Sequence, residues 1–143
     1  MPKLIPYFAY GSNLNTKQFE SRCPNSRFVS KAVLVDYKFI IASRSYASVV
    51  PSPGDRVEGA LYELTTDDED RLDRYEGVGK KRYRKEYHPV KVGTTTVKAL
   101  VYVDTDPRSG VPTVDYCRII INGAADRGLS KAYQKKLFAI LTR

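Results

Sequence analysis

Three short stretches of this 143-residue chain carry residue types and spacings that could do chemistry. The first is YFAYGSNLN, Tyr7 to Asn15. A strand-like run stops there at Gly11, Ser12 and Asn13, which form turns and caps. The stretch offers several backbone N–H groups with little side chain in the way, and glycine can take conformations that other residues avoid. Consecutive N–H groups in such a turn cradle an anion, and a helix N-terminus just behind them adds to the effect. The same letters also describe a capped turn leading into a helix. The stretch is too short for a phosphate loop, and it lacks the lysine of GKS or GKT.

The second stretch is LDRYEGVG, which places Glu76 at the end of an expected helix. The negative helix end disfavours a second negative charge and raises a carboxyl pKa. Lys80, Lys81 and Arg82 would pull the other way. A carboxyl poised between such influences can shuttle a proton; it can equally be a surface glutamate at a helix end. The third stretch holds the single histidine, His88, beside Pro89. With no second histidine and no close cysteine, no metal site is expected. GSN lacks the G-x-S-x-G pattern of a nucleophile elbow, so a serine–histidine triad is not expected either. Of the 11 tyrosines, Tyr83 and Tyr116 stand out because each lies beside another candidate feature. A tyrosine hydroxyl can hold a polar ligand while its ring shapes an apolar wall.

The elements that must position these residues are legible in outline. Strand signals dominate the middle. They cover PYFAY, residues 28–42 as two strands or one long bent strand, residues 56–64, and 83–92 with 94–103 as a hairpin about Gly93. Pro89 fits an edge or a bulge. PSPGD at 51–55 and DPRSGVP at 106–112 read as turns. A short helix is expected after Asn15, with Gln18 three residues on and a stop before Pro24. A second is expected to be capped by Thr66, with Asp67, Asp68 and Glu69 behind it and Gly77 as its stop. A third starts near Thr113 and ends at Gly128, and a fourth starts at Ser130. Strands and helices do not alternate regularly, which argues for an α+β domain, a small barrel with helices packed on it.

Composition bounds the rest. The length suits one domain spanning residues 1–143, and a hydrophobic fraction of 42% is ordinary for a globular protein. No long apolar run predicts a membrane span. The opening MPKLIPYFAY lacks the apolar run and cleavage site of a signal peptide, and Cys23 and Cys117 suit a reduced compartment, so a cytoplasmic location is expected. The net charge of +8 can attract nucleic acid or steer small anions. KKRYRK is the best argument for nucleic acid, but no recognised binding pattern accompanies it, and no nucleic-acid partner is expected.

Taken together, the pieces resemble the γ-glutamylcyclotransferase family. YFAYGSNL is similar to its opening substrate loop, and SPGDRVEGALYEL to the segment further on. LDRYEGV resembles its EGV segment, with Tyr83 seven residues after Glu76. YCRIIINGAADRGLSKAYQKKL resembles its C-terminal pattern. The resemblance runs in order from about Tyr7 to the C-terminus. It implies a mixed β-barrel with helices outside, and cleavage of a γ-glutamyl amide by the substrate's own α-amine, giving 5-oxoproline and a free amine without a cofactor. It implies Glu76 as general acid/base, Tyr10, Gly11, Ser12, Asn13 and Leu14 as the substrate loop, and Tyr83 and Tyr116 as pocket lining.

The chain departs from better-known members in two places. SRSYASVV at 43–50 is short where animal members are longer, and KKR between Glu76 and Tyr83 is unusually basic. That run either favours a leaving amino acid with a carboxylate or faces solvent. A related cyclotransferase acting on γ-glutamylamines, glutathione or a γ-glutamyl-protected intermediate, and a noncatalytic basic binding module, are the other readings. A monomer or a homodimer is expected.

Overall fold

The computed structural model describes residues 3–143; Met1 and Pro2, where the expected 1–143 domain begins, lie outside the described residues. Five strands close into a barrel in the order β1-β3-β2-β4-β5, where β1 is Ile5–Ala9, β2 Arg27–Ile41, β3 Ala47–Leu64, β4 Tyr83–Val92 and β5 Thr95–Asp104. Four helices pack outside it: α1 Thr16–Arg22, α2 Thr66–Tyr75, α3 Val114–Asp126 and α4 Lys131–Leu141. The α+β barrel expected from the irregular alternation of elements is therefore present.

The two longest strands shape the barrel. The stretch expected as two strands or one bent strand over 28–42 is a single bent strand, Arg27–Ile41, its ladder to β3 broken between Phe28 and Ser30 and between Val35 and Tyr37. The second break corrects the reading of PSPGD as a chain reversal. Tyr37 pairs with Pro51 and Val35 with Arg56, so residues 52–55 bulge opposite Asp36 and the ladder then resumes on the same partner. Gly54 donates its N–H to the Asp36 carboxylate at 3.0 Å, and Ser52 donates to Asp55 at 2.5 Å, so the bulge has its own local bonds. Bulges of this kind bend a strand and let a sheet curl.

The β4–β5 hairpin turns at Gly93 as expected, with Val92 opposite Thr95. β1 pairs with β3 along its whole length, while two other seams are thin. A parallel bridge at Tyr7–Leu100 joins β1 to β5, and a bridge at Val33–Lys91 joins β2 to β4. Pro89 therefore sits on a strand whose second side is largely open, where a missing N–H does little harm. Phe8, Leu34, Val49, Val57, Tyr62, Val90 and Leu100 are almost fully buried and make up the core of the barrel with Leu72, Ile120 and Leu137 from the helices.

The helix starts follow from local bonds. Asn15 caps α1 by accepting from the Gln18 amide, Thr113 caps α3 by accepting from Tyr116, and Ser130 caps α4 by accepting from Tyr133. The second helix differs by one residue from expectation. Its cap is Thr65, whose hydroxyl accepts from the Asp68 amide at 3.2 Å, and Thr66 is the first helical residue. Ser26 anchors Thr65 in that role by accepting its N–H.

Candidate active site

The GSN loop follows β1 and folds into a 3₁₀ turn, Ser12–Leu14. Leu14 donates its amide to the Gly11 carbonyl and Asn15 to the Ser12 carbonyl, both at 3.0 Å. The amides of Ser12 and Asn13 precede the first of these bonds and have no partner within the turn. Side chains from several elements hold the loop still. Asn13 donates its amide group to the Tyr7 hydroxyl at 2.9 Å and accepts from the Arg22 guanidinium at 2.7 Å. The same guanidinium donates to the Ser12 hydroxyl, and Tyr62 donates to the Asn13 carbonyl at 2.6 Å. From the far side α3 presses directly on the loop. A Cβ on Gly123 would lie 2.4 Å from the Asn15 nitrogen and 2.6 Å from the Leu14 carbonyl carbon, so only glycine lets the helix approach this closely.

Gly11 is also crowded by its neighbours. Its φ is −120°, outside the left-handed region. Space is the constraint: a Cβ there would stand 3.1 Å from the Ala47 Cβ and 3.6 Å from the Tyr116 hydroxyl.

Glu76 closes α2, donating its amide to the Leu72 carbonyl at 2.8 Å, and Gly77 follows with φ +66°. The residue keeps some surface toward the cavity, but protein surrounds its carboxyl, and burial pushes its pKa up to about 7. Arg22 opposes the rise and Asp104 adds to it. The opposing cation is thus not the KKR run expected from sequence. The 3₁₀ turn Val78–Lys80, and Lys81 with φ +57°, leave both lysines exposed to solvent.

Tyr83 and Tyr116 arrive from β4 and α3 and meet at Ala47, the first residue of β3. Tyr83 donates its hydroxyl proton to the Ala47 carbonyl at 2.6 Å, and the Tyr116 hydroxyl accepts the Ala47 N–H at 2.9 Å. Burial raises the pKa of both phenols, so both stay protonated at neutral pH. The Tyr83 oxygen can therefore accept from a ligand, whereas Tyr116 still has a proton to give.

These groups line one cavity of about 230 Å³: Gly11, Ser12 and Asn13, Glu76, and Tyr10, Tyr83 and Tyr116. Tyr10 contributes its ring, since its hydroxyl donates to the Tyr102 carbonyl at 2.6 Å. Leu14 does not reach the cavity. Its side chain is fully buried beneath the loop.

Several lining residues escaped the reading of the sequence. Tyr7, Tyr75, Tyr102, Arg44, Tyr46 and Ala47 line the same cavity, and so does Arg82 of the basic run already noted. Tyr7 and Tyr102 lie on strands that were expected, and their aromatic side chains were the available signal. Ala47 acts through its backbone, which no letter reveals. His88 lies elsewhere, bonded to Glu86 at 2.7 Å and facing Tyr37 at 3.3 Å. Among the described residues no group of three or more His, Cys, Asp or Glu side chains stands close enough together to hold a metal ion.

A family model, that of the AIG2-like family, matches residues 56–137. The chain is 35% identical to the γ-glutamylcyclotransferase of Homo sapiens over 147 aligned positions, covering 94% of this chain and 77% of that protein. The corresponding protein of Bos taurus is 33% identical with the same coverage. A solved structure of a γ-glutamyl cyclotransferase superposes with a TM-score of 0.91 at 32% identity, covering 96% of this chain and 88% of that one.

Proposed function

The chain belongs to the AIG2-like family of γ-glutamylcyclotransferases, and from that premise we propose how its own residues carry out the reaction. It is an enzyme that converts a γ-glutamyl amino acid to 5-oxoproline and the free amino acid. The observation that supports the assignment of roles is geometric: Glu76 and the loop residues Gly11, Ser12 and Asn13 line the same cavity.

The nucleophile and the electrophile belong to one molecule. The protein mainly has to hold the glutamyl chain curled, and well-oriented intramolecular attack has effective molarities on the order of 10⁵ M or more. In our reading the loop amides bind the glutamyl α-carboxylate, and Tyr83 accepts a hydrogen bond from the α-amino group. Glu76 takes a proton from that amine as its nitrogen attacks the γ-carbonyl carbon. A lactam C–N bond forms, and the Tyr116 hydroxyl donates to the oxyanion that develops. Glu76 then passes the proton to the departing nitrogen as the old amide C–N bond breaks. A carboxyl with a pKa of about 7 suits both duties at neutral pH. Leu14 supports the loop from below and does not touch the substrate.

No helix among the described residues is long and apolar enough to cross a membrane. Two buried thiols, Cys23 and Cys117, suit reducing conditions, and we place the enzyme in the cytoplasm as one domain, a monomer or homodimer. We read the excess positive charge as serving anionic small molecules rather than nucleic acid. Incubation with γ-glutamyl-alanine followed by chromatography for 5-oxoproline tests the reading. The wild type releases 5-oxoproline and alanine in equal amounts, and Glu76→Gln does not; an equally active variant removes Glu76 from the mechanism.

A further inference from the structure

We propose that Arg82 selects substrates whose leaving group carries a carboxylate, by binding that carboxylate at the mouth of the cavity. The inference rests on the cyclotransferase reading of the cavity and adds the chemistry of its outer half.

Two arginines line the cavity, and their positions differ in kind. Arg44 is committed to the protein: its guanidinium donates to the Asp104 carboxylate at 3.0 Å and to the Arg82 carbonyl at 2.5 Å. Arg22, the cation that acts on Glu76, is bonded to Ser12, Asn13 and Tyr75. Arg82 has no hydrogen-bond or ion-pair partner for its guanidinium among the described residues, although every other part of it is fixed. Its amide donates to the Gly77 carbonyl at 3.1 Å, and its carbonyl accepts from Thr105 at 3.0 Å. Its aliphatic stem lies over Gly77, where an added Cβ would come within 2.9 Å of the Arg82 Cδ. The chain thus packs the stem against the residue next to Glu76, and Arg82 is an exposed residue on the lining of the cavity.

Arg22 and Asp104 are the charged groups that act on Glu76. A γ-glutamyl amino acid has two carboxylates. The glutamyl one belongs with the loop amides, and the ring-closing bond must sit at Glu76. The second carboxylate then projects past Glu76, away from the loop, toward the turn that carries Arg82. Guanidinium and carboxylate match in planar, bidentate geometry. A γ-glutamylamine, which has no carboxylate on its leaving group, gains nothing there.

The test compares γ-glutamyl-alanine with γ-glutamyl-ethylamide, which differ by that carboxylate alone. The wild type favours γ-glutamyl-alanine in kcat/KM. In Arg82→Gln the ratio of the two kcat/KM values falls about tenfold or more, through KM, the size expected for a charge-assisted hydrogen bond in an open mouth. Arg82→Lys retains part of the preference. The wild type gives a second readout that needs no variant: raising the salt concentration raises KM for γ-glutamyl-alanine more than for the ethylamide. A ratio unchanged within twofold in Arg82→Gln, or an equal salt response for both compounds, overturns the role of Arg82 while the cyclotransferase reading stands. Turnover of neither compound by the wild type overturns both.

Discussion

The hydroxyls of Tyr83 and Tyr116 meet on a single residue, Ala47, with opposite polarity: one donates to its carbonyl and the other accepts its N–H. Two phenols that look alike in the sequence therefore present different faces to the cavity. Replacing each by phenylalanine separates them. Tyr116→Phe removes a donor used only as the oxyanion forms, and kcat falls about 100-fold with KM little changed. Tyr83→Phe removes an acceptor for the bound amine, and KM rises while kcat falls less. Each change also leaves one Ala47 backbone group unpaired and lowers stability by about 1–2 kcal/mol. Steady-state kinetics beside urea denaturation distinguishes the two effects. Identical kinetic changes in both variants would contradict the assigned polarity.

Glu76 is a site group that costs the fold stability. Its folded pKa of about 7 lies above the ordinary glutamate value. The folded state then binds a proton that the unfolded chain has released, so stability is full at low pH and declines as pH rises toward and through 7. Glu76→Gln removes this penalty. It is expected to be more stable than the wild type by about 3 kcal/mol at pH 8 and equal to it at pH 4, while turnover falls by about 10³. Urea melts at the two pH values measure the first effect. A variant less stable than wild type at pH 8 would show that the carboxyl is not desolvated.

The same carboxyl must be ionised to accept the amine proton, so kcat/KM should rise with pH along an acid limb centred near 7. Asp104 raises the Glu76 pKa and Arg22 lowers it. Asp104→Asn therefore moves the limb to lower pH, and Arg22→Met moves it to higher pH. Arg22→Met also raises KM, because Ser12 and Asn13 lose the guanidinium that holds them. Limbs that stay in place in both variants would exclude Glu76 as the titrating group.

Gly123 offers a test of the loop's support from outside the cavity. Its replacement by alanine puts a carbon where the Asn15 nitrogen and the Leu14 carbonyl already stand. Helix α3 has to back away and the loop loses its floor. A loss of roughly 2–3 kcal/mol is expected, as in other overpacked sites, together with weaker substrate binding. Thermal melting and KM report the two halves of the effect. A variant with wild-type values would mean that the helix and the loop move independently.

What could be read from the letters was what depends on near neighbours. Asn15, Thr113 and Ser130 bond to amides three residues on, so their capping roles are visible in sequence. The strands follow from β-branched and aromatic runs, and the loop and Glu76 drew attention by residue type. The misreadings involve distant partners. Thr65 rather than Thr66 caps α2, and Ser26 on the far side of β2 and β3 bonds to Thr65. PSPGD has turn chemistry, yet β2 recaptures the chain beyond it. Arg22, Arg44 and Ala47 acquire their roles only when α1, the 42–46 turn and β3 converge, and nothing local marks them.

One feature of the barrel bears on how this protein becomes active. The first and last strands touch at a single bridge, Tyr7 with Leu100, and the Tyr10 hydroxyl bonds to the Tyr102 carbonyl near the same seam. The chain must bring segments some ninety positions apart together before the cavity has walls, and contacts at such separation form slowly. Helices and the β4–β5 hairpin rest on local contacts, so the step that completes the cavity wall is expected to be the closing of this long-range seam.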